Sequence, residues 1–328
     1  MTISVVIPTY NRASFLPATL DAVLAQTLPP DEIIVVDDGS EDETQEVLRS
    51  YAPQVRHLRI PNSGELVARN TGVRAASGNL VAFCDSDDLW RPGFLAALAA
   101  LWQVEPRTAV GYSDFVILRD GIWGEASKFA AAPPGFWDGL RVAGPDLAFF
   151  DRPIVDKLIA FQPFFPSCMM VSRDFFISVG GWDEAVNRIV GMDFATTLRM
   201  AEHVPFGVVR RPLVGIRKHA GGYSADVQKM NLGDSRVLRH VLATRPSLAP
   251  YAEQIRASIA ARCRAALDTA FARSDFDAVR AIYAELPPAQ QRSLIARAKF
   301  RVSMFPAWLR SPVSAALLRA GSLRARWS

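Results

Sequence analysis

The chain of 328 residues contains few cysteines, and the three present lie far apart. Cys84, Cys168 and Cys263 form no CxxC pair, so their spacing argues against a disulfide framework and a zinc site. No window reaches the roughly 18 consecutive apolar residues of a membrane-spanning helix. The opening sequence, MTISVVIPTYNR, lacks the basic region of a secretory signal. We therefore expect a protein of a reducing, cytoplasmic compartment.

Two common nucleotide-binding fingerprints are also missing. No GxGxxG follows the first predicted strand, and no GxxxxGK[ST] sequence occurs. These absences argue against the usual dinucleotide-binding proteins and against P-loop proteins. Half of the residues are hydrophobic, so the chain has material for a large core despite these missing motifs.

The most informative stretch reads LVAFCDSDDLW. Leu80–Cys84 is a continuous apolar run, which is typical of a strand buried on both faces. Asp85, Asp87 and Asp88 follow it, at the end of the strand where open α/β sheets bind ligands. Because clustered carboxylates repel one another, the pattern favours a hard cation, Mg²⁺ or Mn²⁺. The alternative is a solvated turn that caps a helix beginning near Pro92.

Strands and helices alternate through the first half of the chain. The predicted strands are Ile3–Ile7, Ile33–Val36, Val55–Ile60, Leu80–Cys84 and Thr108–Val116. The predicted helices are Ser14–Leu24 with Ser14 as N-cap, Thr44–Tyr51, Ala68–Ala76 with Gly78 as C-cap, and Pro92–Val104. This alternation predicts an α/β fold, a mainly parallel sheet with helices on both faces.

Three of the predicted strands end in polar groups. These groups are Thr9-Tyr10-Asn11, Asp37-Asp38 and the Asp85–Asp88 cluster. In a parallel sheet they share one edge and form a cleft with one aromatic ring and several acceptors, which suits a base N–H or a ribose hydroxyl. A diphosphate and a carboxylate cluster are both anionic, so a metal ion must bridge them.

An ordered set of motifs resembles one enzyme family. The motifs are PTYNR at 8–12, VVDDGS at 35–40, ARNTG at 68–72, FCDSDDLW at 83–90, SCMMVSRDFF at 167–176, VGGWDE at 179–184, GMDFATTLRM at 191–200 and RKHAGGYS at 217–224. Together they resemble the inverting glycosyltransferases of family 2, which have the GT-A fold. The resemblance covers about residues 1–225.

The resemblance implies roles for particular residues on the donor side. Pro8 and Tyr10 would line the base pocket, and Asp38 would accept a hydrogen bond from the base N–H. Arg69 would face the base or the phosphates, and Asp85 would hold the ribose or the sugar. Asp87 would bind the divalent metal. Asp37 is better explained as a turn residue, Asp88 either belongs to this set or caps the next helix, and Trp90 packs at the rim of the cleft.

On the acceptor side, the resemblance points to Asp193 as the general base. An inverting transfer needs a base that removes the proton of the attacking hydroxyl. A helix N-terminus keeps a carboxylate ionised, which suits this role. The alternative is a plain helix cap. Family members usually carry Glu-Asp here, and Met192 replaces the Glu, which puts the orientation of the acceptor in question.

The segment RKHAGG adds basic groups near the leaving group. In the family, a His at the position of His219 approaches the metal or the diphosphate. Arg217 and Lys218 would neutralise the leaving nucleoside diphosphate or bind an anionic acceptor. Residues 119–160, rich in Gly, Pro and aromatics, are predicted as an inserted loop region near the acceptor, with a plain surface excursion as the alternative.

The last third of the chain changes character. From about Asn231, apolar residues recur at helical spacing and strand signals stop, which predicts a helical region. After Glu285 there is no acidic residue, whereas eight are basic: Arg292, Arg297, Lys299, Arg301, Arg310, Arg319, Arg324 and Arg326. Aromatic residues are mixed with these charges, and Pro306 and Pro312 are expected to break the tail into short helices. Such a tail favours an anionic membrane surface over nucleic acid, for which no motif is present. A solvated tail is the plain alternative.

Taken together, the sequence predicts a GT-A catalytic domain over 1–228 and a helical region over 229–328. The expected activity is metal-dependent, inverting transfer from a nucleotide-diphosphate sugar, with UDP-sugars favoured, to a carbohydrate or lipid-linked hydroxyl. Bacterial polysaccharide or glycolipid assembly at the inner face of the plasma membrane is the expected setting. The alternatives are a nucleotidyltransferase, or a catalytically silent binding protein of the same fold, which Met192 favours.

Overall fold

The computed structural model describes residues 1–219 and 226–324. Its strands are β1 (Ile3–Thr9), β2 (Glu32–Asp37), β3 (Arg56–Arg59), β4 (Leu80–Phe83), β5 (Leu89–Trp90), β6 (Val110–Arg119), β7 (Ile122–Ser127), β8 (Leu140–Val142), β9 (Leu147–Phe150), β10 (Met169–Ser172) and β11 (Phe206–Arg217). They form one sheet with the strand order β3-β2-β1-β4-β10-β6-β11-β9-β8, to which β5 and β7 add at the side.

Helices flank this sheet and follow it in the sequence. The helices of the first part are α1 (Leu16–Leu24), α2 (Thr44–Ser50), α3 (Glu65–Ala75), α4 (Phe94–Val104), α5 (Val155–Ala160), α6 (Arg173–Ser178) and α7 (Asp193–Met200). Those that follow the sheet are α8 (Val227–Thr244), α9 (Ala252–Ala272), α10 (Phe276–Glu285), α11 (Pro288–Gln291), α12 (Leu294–Ser303) and α13 (Ala307–Arg324). The predicted α/β class with a helical C-terminal part is confirmed.

The first four strands of the sheet are parallel, as expected. β1 lies between β2 and β4, with Thr9 opposite Asp37 and Val6 opposite Phe83. All seven residues of β1 are buried, because helices cover both faces of a parallel sheet. The carboxyl ends of β1, β2 and β4 therefore meet at one edge.

Beyond β4 the sheet becomes mixed. β10 pairs antiparallel with both β4 and β6, and β11 pairs parallel with β6. The segment 119–160, predicted as a loop region, instead contributes β7, β8 and β9, so that prediction was wrong. The β8–β9 hairpin pairs with β11 through β9. Its strands are only three and four residues long, so no periodicity developed in the sequence.

Two predicted helix caps were wrong. Ser14 does not cap α1, because the helix begins at Leu16 with Phe15 as its N-cap. Gly78 lies beyond the end of α3, where Ala76 is the C-cap. A Cβ on Gly78 would lie 2.6 Å from the hydroxyl oxygen of Ser4, so the glycine permits close approach to β1.

The described residues divide into two compact units. The sheet unit contains residues 1–188 and 192–219, and the helical unit contains residues 189–191 and 226–324. Ile189–Gly191 therefore belongs to the helical unit, where Val190 meets α8. A Cβ added at Gly233 would lie 1.8 Å from the carbonyl oxygen of Val190. The sequence boundary at 228 stays a prediction.

The end of the helical unit differs in one respect from expectation. A break at Met304–Pro306 separates α12 from α13, but Pro312 lies inside α13. Proline fixes φ near the helical value, so Pro312 removes one hydrogen bond without ending the helix. Within the described residues, no helix combines the length and apolar character needed to cross a bilayer. The last four residues of the predicted tail lie outside the described chain.

Candidate active site

The carboxyl ends of β1, β2 and β4 carry the predicted base-binding residues. Pro8 is buried in β1, and Tyr10 follows the strand with 43% of its surface exposed. Asp38 directly follows β2 and is almost fully buried. Its two carboxylate oxygens accept hydrogen bonds from the backbone N–H groups of Ser63 (2.6 Å) and Gly64 (2.8 Å). The carboxylate is thereby fixed beside the cleft.

Asp37, next to it in the sequence, points into the turn that follows β2. One of its oxygens accepts a hydrogen bond from the backbone N–H of Ser40 at 2.7 Å. His57 and Arg59 approach the other oxygen at 3.8 and 4.0 Å. This arrangement agrees with the interpretation of Asp37 as a turn residue.

Arg69 lies at the centre of a cluster of carboxylates. It projects from α3, is 1% exposed, and pairs with Glu65 one helical turn earlier. Its guanidinium also donates to Oδ1 of Asp85 at 2.5 Å and lies 4.8 Å from the centre of the Trp182 ring. Burial raises the pKa of Glu65 to about 7 against the opposing attraction of Arg69. The structure thus brings Arg69 and Asp85 together.

Asp193 is the first residue of α7 and lies near this cluster. Its Oδ2 atom is buried and has no hydrogen-bond partner among the described residues. Burial raises the pKa of Asp193 to about 6, although the Arg69 guanidinium opposes this shift. The N-cap of α7 is Met192, so Asp193 does not serve as the helix cap. The unused oxygen of its carboxylate can accept a proton in the neutral pH range.

Asp87, in the loop after β4, meets His219 at the end of β11. The Nε2 atom of His219 lies 2.9 Å from Oδ2 of Asp87, and the Nε atom of Arg12 lies 3.6 Å from the same oxygen. The His219 ring stacks on Phe15 with 4.8 Å between ring centres. From Ala220 onward, the rest of the RKHAGGYS motif lies outside the described residues.

These two residues fit a divalent metal as partial ligands. In the part of the chain that the structure describes, no three His, Cys, Asp or Glu side chains form a complete metal cluster. Asp87 and His219 instead offer one carboxylate and one imidazole, converging within 2.9 Å. Mg²⁺ and Mn²⁺ accept such ligands when substrate phosphates and water complete the shell. Asp87 and His219 would then hold the ion beside the diphosphate.

One interpretation of the sequence made Asp88 the cap of the following helix, and the structure contradicts it. α4 begins at Phe94 with Gly93 as its N-cap. The Asp88 carboxylate accepts from the Ser167 hydroxyl at 2.6 Å and from the backbone N–H of Arg217 at 2.9 Å. Burial, followed by repulsion from Asp87 and Asp85, holds the pKa of Asp88 well above its usual range. Asp88 therefore ties β11 and the turn before β10 to the acidic loop.

Trp90 is a packing residue, but it lies inside rather than at the rim. It is 3% exposed, stacks on Phe94 at 4.1 Å, and donates its Nε1–H to the Ser167 carbonyl at 2.8 Å. Ser167 also accepts from the backbone N–H of Asp85 at 2.9 Å. One serine therefore connects Asp85, Asp88 and Trp90.

Several site residues escaped the sequence reasoning. These are Glu65, Ser167, Arg12 and Phe15. Glu65 had a usable signal, because it lies four residues before Arg69 on the same helix face. Arg217 was expected near the diphosphate, and its Nε–H donates to the Asp87 carbonyl at 2.7 Å while its guanidinium lies over Phe15.

Comparison with solved structures defines the class of this fold. S. aureus TarS 1–349 in complex with UDP superposes with a TM-score of 0.56 at 18% identity, covering 93% of this chain and 81% of that one. A likeness at this identity concerns the fold alone. Together with the parallel β3-β2-β1-β4 edge and its acidic loop, it defines a GT-A fold.

Sequence comparison gives the family. The model of glycosyl transferase family 2 matches residues 4–177. The glycosyltransferase YwdF of Bacillus subtilis is 30% identical over 243 residues, which are 72% of this chain and 80% of YwdF. The chain belongs to glycosyl transferase family 2.

Other relatives are matched over shorter stretches. The putative teichuronic acid biosynthesis glycosyltransferase TuaG of Bacillus subtilis is 40% identical over 136 residues, which are 40% of this chain. That stretch spans 53% of TuaG, so the chain spans about half the length of this relative. Further curated relatives are matched over 38% of their length or less, down to 13%.

Proposed function

We propose that this protein transfers a sugar, with inversion, from a nucleotide-diphosphate sugar to a hydroxyl group of a carbohydrate or lipid-linked acceptor. The observation that carries the proposal is the buried, unpartnered oxygen of Asp193 at the start of α7. With a pKa of about 6, its carboxylate is deprotonated at neutral pH and can take the proton of the attacking hydroxyl.

The donor would lie along the edge formed by β1, β2 and β4. Tyr10 would stack on the base, and the Asp38 carboxylate, fixed by two backbone N–H groups, would accept from the base. Asp85, paired with Arg69, would face the ribose or the sugar. A UDP-sugar is favoured because TarS, which shares the fold, has been crystallised with UDP.

We infer a requirement for Mg²⁺ or Mn²⁺ held by Asp87 and His219. When bound, such an ion offsets the charge that the leaving diphosphate acquires. Arg217 lies on the same side, since its Nε–H donates to the Asp87 carbonyl. Its positive charge would attract the diphosphate independently of any ion.

We also propose that the helical unit attaches the enzyme to the inner face of the plasma membrane. Leu294, Ile295 and Trp308 are exposed, with Leu294 at 82% and Trp308 at 77%. The charges around them after Glu285 are all positive. A basic surface with exposed apolar side chains suits a leaflet of anionic lipid. An acceptor carried by a lipid, and assembly of a surface polysaccharide as the name of TuaG indicates for that relative, would fit this location.

The proposed function is tested with the purified full chain, Mn²⁺ and a panel of nucleotide-sugars, each with candidate acceptors. Release of the nucleoside diphosphate, and an anomeric configuration opposite to that of the donor in the product, are the expected results. Asp193→Asn is the matched variant and should release far less. Donor binding without release from any donor would favour the catalytically silent protein that Met192 suggested.

A further inference from the structure

The Asp38 carboxylate takes its position from a short loop, residues 61–64, between β3 and α3. The backbone N–H groups of Ser63 and Gly64 donate to its two oxygens, at 2.6 and 2.8 Å. Gly64 has a φ of +95°, a conformation that side chains other than glycine rarely adopt. Because the loop belongs to neither a strand nor a helix, its shape depends on contacts from elsewhere in the chain.

Asn187 supplies two of these contacts from 124 residues further along the chain. Its Nδ2–H donates to the Ser63 carbonyl at 2.6 Å, and its Oδ1 accepts from the backbone N–H of Leu66 at 3.2 Å. Leu66 lies in the first turn of α3, where the N-cap residue, Gly64, has no side chain that could accept from a backbone N–H. Asn187 therefore caps α3 and holds the loop before it with the same amide group.

The contact between Asn187 and the loop is close. A Cβ added at Gly64 would lie 2.3 Å from the amide nitrogen of Asn187, so only glycine leaves room for this side chain. The next residue, Arg188, adds to the contact, since its guanidinium donates to the carbonyl (3.1 Å) and side-chain (2.6 Å) oxygens of Asn62. Asn187 is half-buried and Arg188 is exposed, so we expect Asn187 to be the main support of the loop.

We propose that Asn187 is a positioning residue that sets the selectivity for the base of the donor, because it fixes the loop that orients the Asp38 carboxylate. The inference rests on the proposed function, in which Asp38 accepts a hydrogen bond from the base N–H. Uracil has such an N–H at N3, whereas cytosine presents a lone pair there, which a carboxylate repels. A site built to accept from an N–H discriminates strongly only when its acceptor is held in place. Displacement of the loop should therefore reduce the preference for UDP over CDP.

The test measures the affinity of the full chain for UDP and for CDP, each with Mn²⁺, by calorimetry. Asn187→Ala should weaken UDP binding about tenfold and CDP binding little, since one hydrogen bond to a charged acceptor depends on the loop. Asn187→Asp keeps an oxygen for the Leu66 N–H but loses the donor to Ser63, so it should show the same loss at a Tm close to that of the wild type. Asn79→Ala is the matched control, because Asn79 accepts from the Thr2 N–H at 2.7 Å at the amino end of β1 and should affect neither affinity.

A double-mutant cycle with Asp38→Ala separates positioning from general support of the fold. If Asn187 acts through Asp38, adding Asn187→Ala to Asp38→Ala should cause no further loss of UDP affinity, whereas a residue that only supports the fold would cause the same loss in both backgrounds. Wild-type selectivity of Asn187→Ala, or full additivity in the cycle, overturns the proposal and leaves the proposed function intact. If the wild type has no preference for UDP, or Asp38→Ala retains it, Asp38 does not recognise the base, and the proposed donor site fails together with this inference.

Discussion

His219 and Asp87 lie 132 residues apart in the sequence, yet the imidazole Nε2 is 2.9 Å from the carboxylate Oδ2. The contact joins the end of β11 to the acidic loop after β4. Phe15 stacks against the imidazole and restricts its orientation. The pair is therefore preformed, and it lies beside the Arg217 guanidinium rather than in open solvent.

This pair gives the first prediction. Asp87→Asn should abolish stimulation of turnover by Mn²⁺ or Mg²⁺ and weaken Mn²⁺ binding at saturating UDP by at least about tenfold, because one of two protein ligands is lost. Titration of Mn²⁺ by electron paramagnetic resonance measures the binding. Glu43→Gln, an exposed carboxylate of the same unit, is the control. Full wild-type activity in excess chelator would contradict the metal role.

The second prediction concerns pH. The proposed base, Asp193, can accept a proton only when its carboxyl group is ionised. The kcat/KM for the acceptor should therefore rise with pH and reach half its maximum near the pKa of about 6. Asp193→Asn should lower kcat at least about a hundredfold while donor binding changes little. Initial rates between pH 5 and 8 measure this. A variant with collapsed donor affinity and unchanged kcat would instead indicate a structural cap.

The third prediction is that the same substitution stabilises the fold. The pKa of Asp193 is raised from 3.8 to about 6, so the folded state loses stability as pH rises between these values. Asparagine removes this cost, which is at most about 3 kcal/mol. The Tm of Asp193→Asn should exceed that of the wild type by a few degrees at pH 7.5 and match it near pH 4.

Differential scanning calorimetry at the two pH values makes this comparison. Asp174→Asn removes a carboxylate whose side chain is 94% exposed and should leave Tm unchanged at both. A lower Tm for Asp193→Asn at pH 7.5 would mean that its carboxylate supports the fold, and the assignment as a base would lose its physical basis.

The fourth prediction concerns membrane attachment. The full chain should co-sediment with anionic vesicles at low salt and dissociate at 1 M salt, where the Debye length falls to about 3 Å. A shortened chain is a poor test, because α12 packs on α10 through the Tyr283–Phe300 stack at 4.3 Å. Leu294→Ser/Trp308→Ser changes only exposed side chains and should release the protein at unchanged Tm.

Control variants show whether vesicle binding depends on this particular exposed surface of the helical unit. Ile122→Ser removes an exposed apolar side chain of the sheet unit and should leave vesicle binding unchanged. Lys299 is a weak choice for charge removal, since it pairs with Asp268 at 2.5 Å. Equal binding of the double variant and the wild type would exclude this face of the helical unit as the anchor.

The fifth prediction addresses the segment before the base. Gly233→Ala places a methyl group 1.8 Å from the Val190 carbonyl oxygen, so either α8 or the segment 189–191 must move. We expect a loss of about 1–3 kcal/mol in stability and a lower kcat, because Asp193 follows this segment by two residues. Gly144→Ala, whose new Cβ would lie 3.8 Å or more from its neighbours, is the control. A kcat equal to that of the wild type would show that 189–191 does not influence the base.

The sequence predicted the first, parallel half of the sheet well, for a physical reason. β1 and β4 are fully buried, and β2 is buried from Ile33 onward. Each therefore appears as a short apolar run, and the polar residues that follow mark the shared edge. Parallel strands alone are enough to bring Asp38 and Asp87 to that edge.

The second half of the sheet was less predictable. β11 is twelve residues long, but Arg210-Arg211-Pro212 interrupts its apolar pattern where its register with β6 shifts. The role of Ser167 depends on contacts with Asp85 and Asp88 about eighty residues away. Such contacts leave no local periodicity, so no reasoning on sequence patterns could have found them.

Ile189–Gly191 belongs to the helical unit, although the residues directly before and after it belong to the sheet unit. The two units are therefore not consecutive blocks, and no single cut in the gene would separate them. The family match ends at residue 177, before this segment begins. A chimera that exchanges the helices of two relatives must exchange residues 189–191 as well, or Gly233 will face a foreign main chain. Natural recombination within the family is expected to exchange residues 189–191 and the C-terminal helices together.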